Sequence, residues 1–204
     1  MPYIYGKRIR LRAAEKEDIP TFLRWFNDPE VTENLMMTTP MARVEEERWY
    51  DCMMQKPATE HVMVIEISDG QQKPSYRAIG TCGFISIDWR NRSSEIGISI
   101  GEKSLWDQGY GTETMSLLIE HGFNTLNLHR IWLQVHATNP RGIRAYEKAG
   151  FIHEGKFRQA EFKKGAYCDV HVMSILADER RQSEIKGKPI EKGLGQNGNT
   201  PHAA

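Results

Sequence analysis

The stretch "SLWDQGYGTETM", residues 104–115, carries two glycines, Gly109 and Gly111, directly before a helical pattern. Unpaired backbone N–H groups and the positive end of the helix dipole would meet at this loop, which predicts an anion site, most naturally for phosphate. The pattern alone is weak, because a GxG pair at a helix start also forms tight turns that serve only packing. It matches neither the dinucleotide fingerprint, which needs a glycine where Thr114 stands, nor the nucleotide-triphosphate loop, whose Gly-Lys-Ser/Thr ending is absent.

The strand "SSEIGISI" that leads into this loop has two very different faces. The even-numbered positions carry Ile96, Ile98 and Ile100, whereas the odd-numbered positions after Glu95 carry Gly97 and Ser99. Glycine inside a strand often marks the close approach of a ligand or of another backbone. The strand is therefore predicted to leave room beside it.

A second segment, "HATNPRGIRAYEKAGF", predicts a helix of about ten residues that is bounded by its own sequence. Asn139 suits the N-cap, Pro140 suits the first helical position and Gly150 suits the C-terminal stop. Asn139 and Tyr146 are seven residues apart, about two turns, so the amide and the phenol face the same side.

The elements that must position these residues follow from hydrophobic periodicity. The pattern predicts the order β, αα, βββ, α, β, α, ββ, beginning with a strand in "YIYGKRIRLRAA" and ending with a hairpin. From Ala177 onward the sequence is polar and rich in Gly and Pro, which predicts a disordered tail over 177–204. Residues 1–176 are therefore predicted to form one domain.

Composition narrows the function classes. The 204 residues include 27 basic and 27 acidic side chains, so the formal net charge is zero. This balance favours neither a nucleic acid nor a membrane surface as partner. Cys52, Cys82 and Cys168 form no CxxC pair, which indicates a reducing compartment without a disulfide framework or a zinc site. The seven histidines lack metal-ligand spacing, so no metal is predicted. The N-terminus resembles no signal peptide and no apolar run has membrane-spanning length, which predicts a cytoplasmic protein.

Together, "WDQGYGTETM" and "NPRGIRAYEKAGF" resemble motifs A and B of the GCN5-related N-acetyltransferases, the GNAT family. The closing segment resembles the branch with ribosomal-protein N-terminal acetyltransferases and spermidine N-acetyltransferases, and the resemblance covers most of residues 3–176. It implies a mixed α+β fold, with a central, mostly antiparallel twisted sheet of about six to seven strands flanked by about four helices. The family usually has Gln or Arg where this chain has Trp106, so a side-chain role there is not expected.

The resemblance implies acetyl-CoA as donor and direct attack by an amine on the thioester in a ternary complex. Backbone amides of residues 106–112 would hold the pyrophosphate, residues 98–100 would pair with pantetheine, and Asn139 would hold the cofactor further along. The implied cofactor-binding residues are Ile98, Ser99, Ile100, Trp106, Asp107, Gln108, Gly109, Tyr110, Gly111, Thr112, Asn139 and Tyr146. Tyr146 would also protonate the departing thiolate, since a phenol with a pKa near ~10 is protonated at neutral pH. The alternative for Tyr146 is a helix residue packed on the sheet.

The acceptor amine must lose a proton before or during attack. Glu95 is the first candidate base, directly or through water, and Asp88 is the second, although either carboxylate could be solvated and structural. A cationic amine could be attracted by acidic residues of the first helices and the hairpin, although an "EEE" run is also typical of a solvated face. These residues are Glu33, Glu45, Glu46, Glu47 and Glu161.

The sequence leaves the acceptor open among a protein N-terminal α-amine, a polyamine and an aminoglycoside. The α-amine leads because of the branch resemblance. The rival from another class is a non-catalytic acyl-CoA-sensing module, which would keep Gly109, Gly111 and Asn139 but would not need Tyr146. The sequence also leaves open whether the protein forms a homodimer.

Overall fold

The computed structural model describes residues 3–37, 39–68 and 75–181. The strands are β1 (Ile4–Tyr5), β2 (Ile9–Ala13), β3 (Met63–Ser68), β4 (Tyr76–Asp88), β5 (Ser93–Ile100), β6 (Arg130–His136), β7 (Ile152–Lys163) and β8 (Ala166–Leu176). The α-helices are α1 (Ile19–Phe26), α2 (Arg43–Met53), α3 (Tyr110–Asn124) and α4 (Pro140–Ala149). The strands form one sheet in the order β1-β2-β3-β4-β5-β6-β8-β7, antiparallel except between β5 and β6. This mixed α+β architecture confirms the predicted fold class.

The sheet has one strand more than the sequence predicted, because the opening segment folds back on itself. Gly6 N donates to Ile9 O at 2.8 Å and closes a tight turn. Ile4 consequently pairs with Leu11, so a segment that reads as one alternating strand becomes a short hairpin.

The predicted tail begins in ordered structure. Residues 177–181 are helical, and Ala177 is 5% exposed because it joins the main core cluster. The remainder of the predicted tail, 182–204, lies outside the described residues.

Two hydrophobic clusters cover opposite faces of the sheet. The larger joins α3 and α4 to the sheet and includes Met115, Ile131 and Val135. The smaller joins α1 and α2 to the other face through Phe22, with Val64 of β3. Side chains alternate between these faces along each strand, so the sheet separates two helical layers.

The sheet opens between β5 and β6. These strands are parallel neighbours only where residues 93–95 pair with 130–132. β5 continues to Ile100 along β4, and β6 continues to His136 along β8, without further pairing between β5 and β6. The backbone groups that would otherwise complete the ladder therefore border a gap.

Glu46 on α2 is a buried carboxylate whose substitution we expect to stabilise the protein. It is 2% exposed, its Oε1 has no hydrogen-bond partner among the described residues, and burial raises its pKa. The folded state therefore binds this proton more tightly than the unfolded state, and the free energy of unfolding falls as pH rises through the raised pKa. Glu46→Gln should raise Tm at pH 7.5 by roughly 2–4 °C.

Thermal unfolding at pH 7.5 and pH 4 checks this expectation. At the lower pH Glu46 is protonated in both states, so the gain from Glu46→Gln should shrink. Glu47→Gln on the same helix is the matched control, because it removes only a surface ion pair with Arg43. An equal gain at both pH values would contradict the proposed cause.

Candidate functional site

A cavity of about 400 Å³ occupies the gap between β5 and β6. Its walls come from both faces of the sheet. The α3–α4 side contributes Gly111, Thr112, Arg144 and Tyr146, and the α1–α2 side contributes Leu35, Glu95, Ser99, Gln134 and Glu161. Two molecules that enter from opposite faces could therefore meet inside the sheet.

The loop before α3 has the geometry expected of an anion site. Gly109 is the N-cap residue with φ of 82°, and no side chain caps the helix. The lack of a side-chain cap leaves first-turn N–H groups for a ligand. A Cβ at Gly111 would have no neighbouring atom within 4 Å in the described residues, so packing against the chain does not require glycine there. This open space favours a ligand cradle over a turn made only for packing.

Arg8 and Gln108 hold the loop in place. Arg8 Nη1 donates to Gln108 O at 2.9 Å, and its Nε and backbone N each bind the Glu113 carboxylate at 2.8 Å. The Gln108 side chain donates to Ser104 O at 2.7 Å and does not line the cavity, unlike Asp107 and Tyr110. Gln108 therefore helps to hold the loop through its backbone carbonyl.

Arg141 and Arg144 line the cavity and were not predicted from the sequence as site residues. The Arg141 guanidinium lies over the Trp106 ring at 3.7 Å, and Trp106 Nε1 donates to Ile100 O at 2.8 Å. The Trp106 side chain thus positions a cation, a role that the sequence did not suggest. The available signal was the three-residue spacing of two arginines in the first turns of α4, which puts both on one side.

The end of β5 presents backbone groups to the gap. The Ile100 carbonyl accepts from Trp106, so it points away from β4. By the two-residue alternation of a strand, the backbone of Ile98 points the same way. Ile98, Ser99 and Ile100 are all paired with β4, and all three line the cavity.

Asn139 and Tyr146 both line the cavity, as their spacing predicted. Asn139 Oδ1 accepts from Gly142 N at 2.9 Å, so the residue is an N-cap. The Tyr146 ring packs edge-on against Phe151, with centroids 6.2 Å apart. Burial raises the pKa of Tyr146 to about 12, which keeps the phenol protonated and able to donate at neutral pH.

Glu95 lies where the two strands part. It is the last residue of β5 paired to β6, opposite Trp132, and Gln134 Nε2 is 3.4 Å from its Oε1. Burial raises the pKa of Glu95, which makes it a better proton acceptor than a surface glutamate. Asp88 is not brought to this cavity. Asn91 donates to the Asp88 carboxylate at 2.9 and 2.6 Å and lowers its pKa. Asp88 lines a neighbouring cavity, which Glu95 also lines.

Glu161 also lines the cavity, and it hydrogen-bonds to His136 Nε2. Glu33 lies outside the cavity lining, where Lys164 Nζ at 2.6 Å lowers its pKa. The α2 glutamates are also absent from the lining, since Glu45 caps Ala42 N and Glu47 pairs with Arg43. Glu95 and Glu161 thus line the same cavity as Arg141 and Arg144, and Asp107 of the loop before α3 adds a third carboxylate.

Residues 8–152 match the family model described as an acetyltransferase (GNAT) domain. The chain is 33% identical to the uncharacterized N-acetyltransferase p20 of Bacillus licheniformis, over 88% of this chain and 98% of that protein. It is 30% identical to the spermidine N(1)-acetyltransferase of Vibrio cholerae, over 84% and 94%. It is also 32% identical to the ribosomal-protein-serine acetyltransferase of Escherichia coli, over 50% and 56%. The resemblance noted in the sequence is confirmed.

Among solved structures, the fold matches the spermidine N-acetyltransferase from Vibrio cholerae in complex with CoA and spermine. The TM-score is 0.77 at 26% identity, over 85% of this chain and 98% of that one. No helix in the described part of the chain is both long and apolar enough to cross a membrane.

Proposed function

The chain belongs to the GNAT acetyltransferase family, and from that premise we propose that it transfers an acetyl group from acetyl-CoA to a primary amine of a polyamine such as spermidine. One observation carries the proposal. A cavity crosses the sheet between β5 and β6, and the N-terminus of α3 and two arginines line it together with Glu95 and Glu161. An anionic donor and a cationic acceptor could thus bind in the same cavity and react there.

The residues present fit the donor. The first-turn N–H groups of α3, the open space at Gly111, and the cations Arg141 and Arg144 suit a pyrophosphate, while the backbone of Ile98 suits an amide-bearing arm. When bound, acetyl-CoA supplies the thioester that the amine attacks. Tyr146 holds a proton for the sulfur, and Glu95 accepts the proton that the amine loses.

The polyamine acceptor was the second choice of the sequence analysis, which placed a protein N-terminal α-amine first. Two considerations reverse that order. The relatives matched over most of their length include a spermidine acetyltransferase, whereas the ribosomal-protein enzyme is matched over 56% of its own length. Glu95 and Glu161 also line the same cavity, so a second ammonium group of a polyamine could pair with Glu161 while the reacting amine lies near Glu95.

The test is release of the CoA thiol from acetyl-CoA against a panel of amines, with mass analysis of products. The panel contains spermidine, spermine, peptides with free Ser or Ala N-termini, a lysine peptide and an aminoglycoside. We expect kcat/KM for spermidine to exceed that for the peptides by at least about tenfold, about 1.4 kcal/mol in transition-state stabilisation. A peptide preference would overturn the acceptor assignment. If no amine of the panel caused CoA release although acetyl-CoA bound tightly, the result would instead favour the non-catalytic sensing module.

Glu95→Gln tests the proposed base. The amide keeps the size of the side chain and its contact with Gln134 but cannot take a proton, so kcat/KM should fall about 10- to 100-fold. In the native enzyme kcat/KM should rise with pH through the raised pKa of Glu95, and the variant should lose that limb. Glu47→Gln is the matched control, because Glu47 lies outside both cavities that Glu95 lines, and it should leave the profile unchanged. If kcat/KM of Glu95→Gln still rose with pH over the same range, Glu95 would not be the base.

A further inference from the structure

Three potential metal ligands meet beside the cavity, at a point where His136 and Glu161 line it. The ligand atoms of His136, Glu161 and Cys168 all lie within 4.8 Å of one another. The register of the sheet brings them together, since His136 of β6 pairs with Val170 of β8 and Glu161 of β7 pairs with Cys168 of β8. Cys168 and Val170 are two residues apart on one strand, so all three ligand side chains share a face.

We propose that His136, Glu161 and Cys168 bind a zinc ion, with a fourth coordination position open to the cavity. Imidazole nitrogen, carboxylate oxygen and thiolate sulfur are all zinc ligands, and three protein ligands leave one position for water or another molecule. The thiolate selects against Mg²⁺ and Ca²⁺, which prefer oxygen ligands. One thiolate and one carboxylate also balance the +2 charge of the ion.

The metal-free arrangement is close to what the ion needs. His136 Nε2 is hydrogen-bonded to Glu161, so the proton of that hydrogen bond would have to leave Nε2 for Nδ1 or for water, while Cys168 would release its thiol proton to water. Bond lengths of about 2.0–2.3 Å put tetrahedral ligands roughly 3.5 Å apart. The ligand atoms of His136 and Glu161 would therefore move apart from their hydrogen-bonded contact, while Cys168 Sγ, which lies within 4.8 Å of both, would move closer by up to about 1 Å.

Lys163 is the charged neighbour that opposes metal binding. Its ammonium group interacts electrostatically with Glu161 and Cys168, and it donates to the carbonyl oxygens of Thr32 and Leu35. Its positive charge repels a cation. We therefore expect affinity below that of a four-ligand structural zinc site.

Zinc at this site would compete with the acceptor. Glu161 cannot both coordinate the ion and pair with a second ammonium group of a polyamine. This consequence rests on the proposed function, whereas metal binding itself does not.

Cobalt titration of the chelator-treated full chain tests the site directly. We expect one equivalent of Co²⁺ to produce a thiolate-to-cobalt charge-transfer band, and Zn²⁺ to displace it. Cys168→Ser should abolish the band and weaken zinc binding by about 100-fold or more, because loss of even an outer-shell partner costs about 10- to 100-fold. Cys52→Ser is the matched control, since it removes an exposed thiol on α2 and should change neither result.

Absence of the band from the native chain, or its persistence in Cys168→Ser, would overturn the proposal. Thermal unfolding gives a second readout, because zinc should raise Tm of the native chain and of Cys52→Ser but not of Cys168→Ser. In the transferase assay zinc should raise KM for the amine and leave KM for acetyl-CoA unchanged. If no amine is acetylated, the cobalt and Tm results still decide whether the metal site exists.

Discussion

Gly109→Val should weaken acetyl-CoA binding by about 100-fold or more, equivalent to the loss of two charged hydrogen bonds of ~1.5 kcal/mol each. The reason is conformational. Gly109 has φ of 82°, a region that a β-branched residue rarely enters, so valine would turn the loop amides away from the phosphate position. Its Cβ would also lie 3.3 Å from Arg8 Nη2, the side chain that holds the loop. Isothermal calorimetry with acetyl-CoA measures the effect.

Gly165→Val is the matched control for Gly109→Val. Gly165 lies in the turn between β7 and β8 with φ of 81°, and a Cβ there would have no neighbouring atom within 4 Å in the described residues. The backbone strain is therefore the same, but we expect normal acetyl-CoA affinity. Normal affinity in Gly109→Val would remove the loop from the binding site, and loss of affinity in both variants would point to damage to the fold instead.

Tyr146→Phe should lower turnover at least about tenfold while acetyl-CoA affinity stays within about threefold. Phenylalanine keeps the ring and its edge-on packing against Phe151, so the variant removes only the hydroxyl group. A thiolate leaving group then has no phenol to protonate it, and the loss should fall on kcat because the contact forms as the sulfur departs. Steady-state kinetics with calorimetry for acetyl-CoA separates the two quantities.

Tyr167→Phe serves as the control for Tyr146→Phe, because Tyr167 is exposed on the hairpin and does not line the cavity. It should match the native enzyme in both measurements. Unchanged turnover in Tyr146→Phe would mean that the tyrosine only packs against the sheet. A large loss of acetyl-CoA affinity would mean that its hydroxyl group serves binding more than proton donation.

Local sequence signals predicted the backbone of the donor site. Asn139 was identified as an N-cap from its residue type and from the proline after it, and the structure has that cap. The helix after Gly109 followed from apolar periodicity alone. Signals of this kind work because caps, turns and helix faces depend on residues only a few positions apart. They failed at the first strand, where the turn at Gly6 is hidden inside an alternating pattern.

The convergence of side chains was decided by the tertiary structure. Glu95 and Gln134 meet where β5 and β6 part, whereas Asp88 lines only a neighbouring cavity that Glu95 also lines. No spacing in the sequence indicates that Arg141 lies on Trp106. These contacts depend on strand order and register, which are set by packing between distant segments.

The sequence by itself determined the family and predicted the loop, cap and phenol of the proposed donor site, because each depends on a short motif. Only the tertiary structure decided which acidic residues line the cavity and which stay in surface ion pairs. The same holds for His136, Glu161 and Cys168, whose spacing in the sequence suggested no metal site. They meet because three strands lie side by side, and a pairing shifted by one residue would turn each side chain to the opposite face.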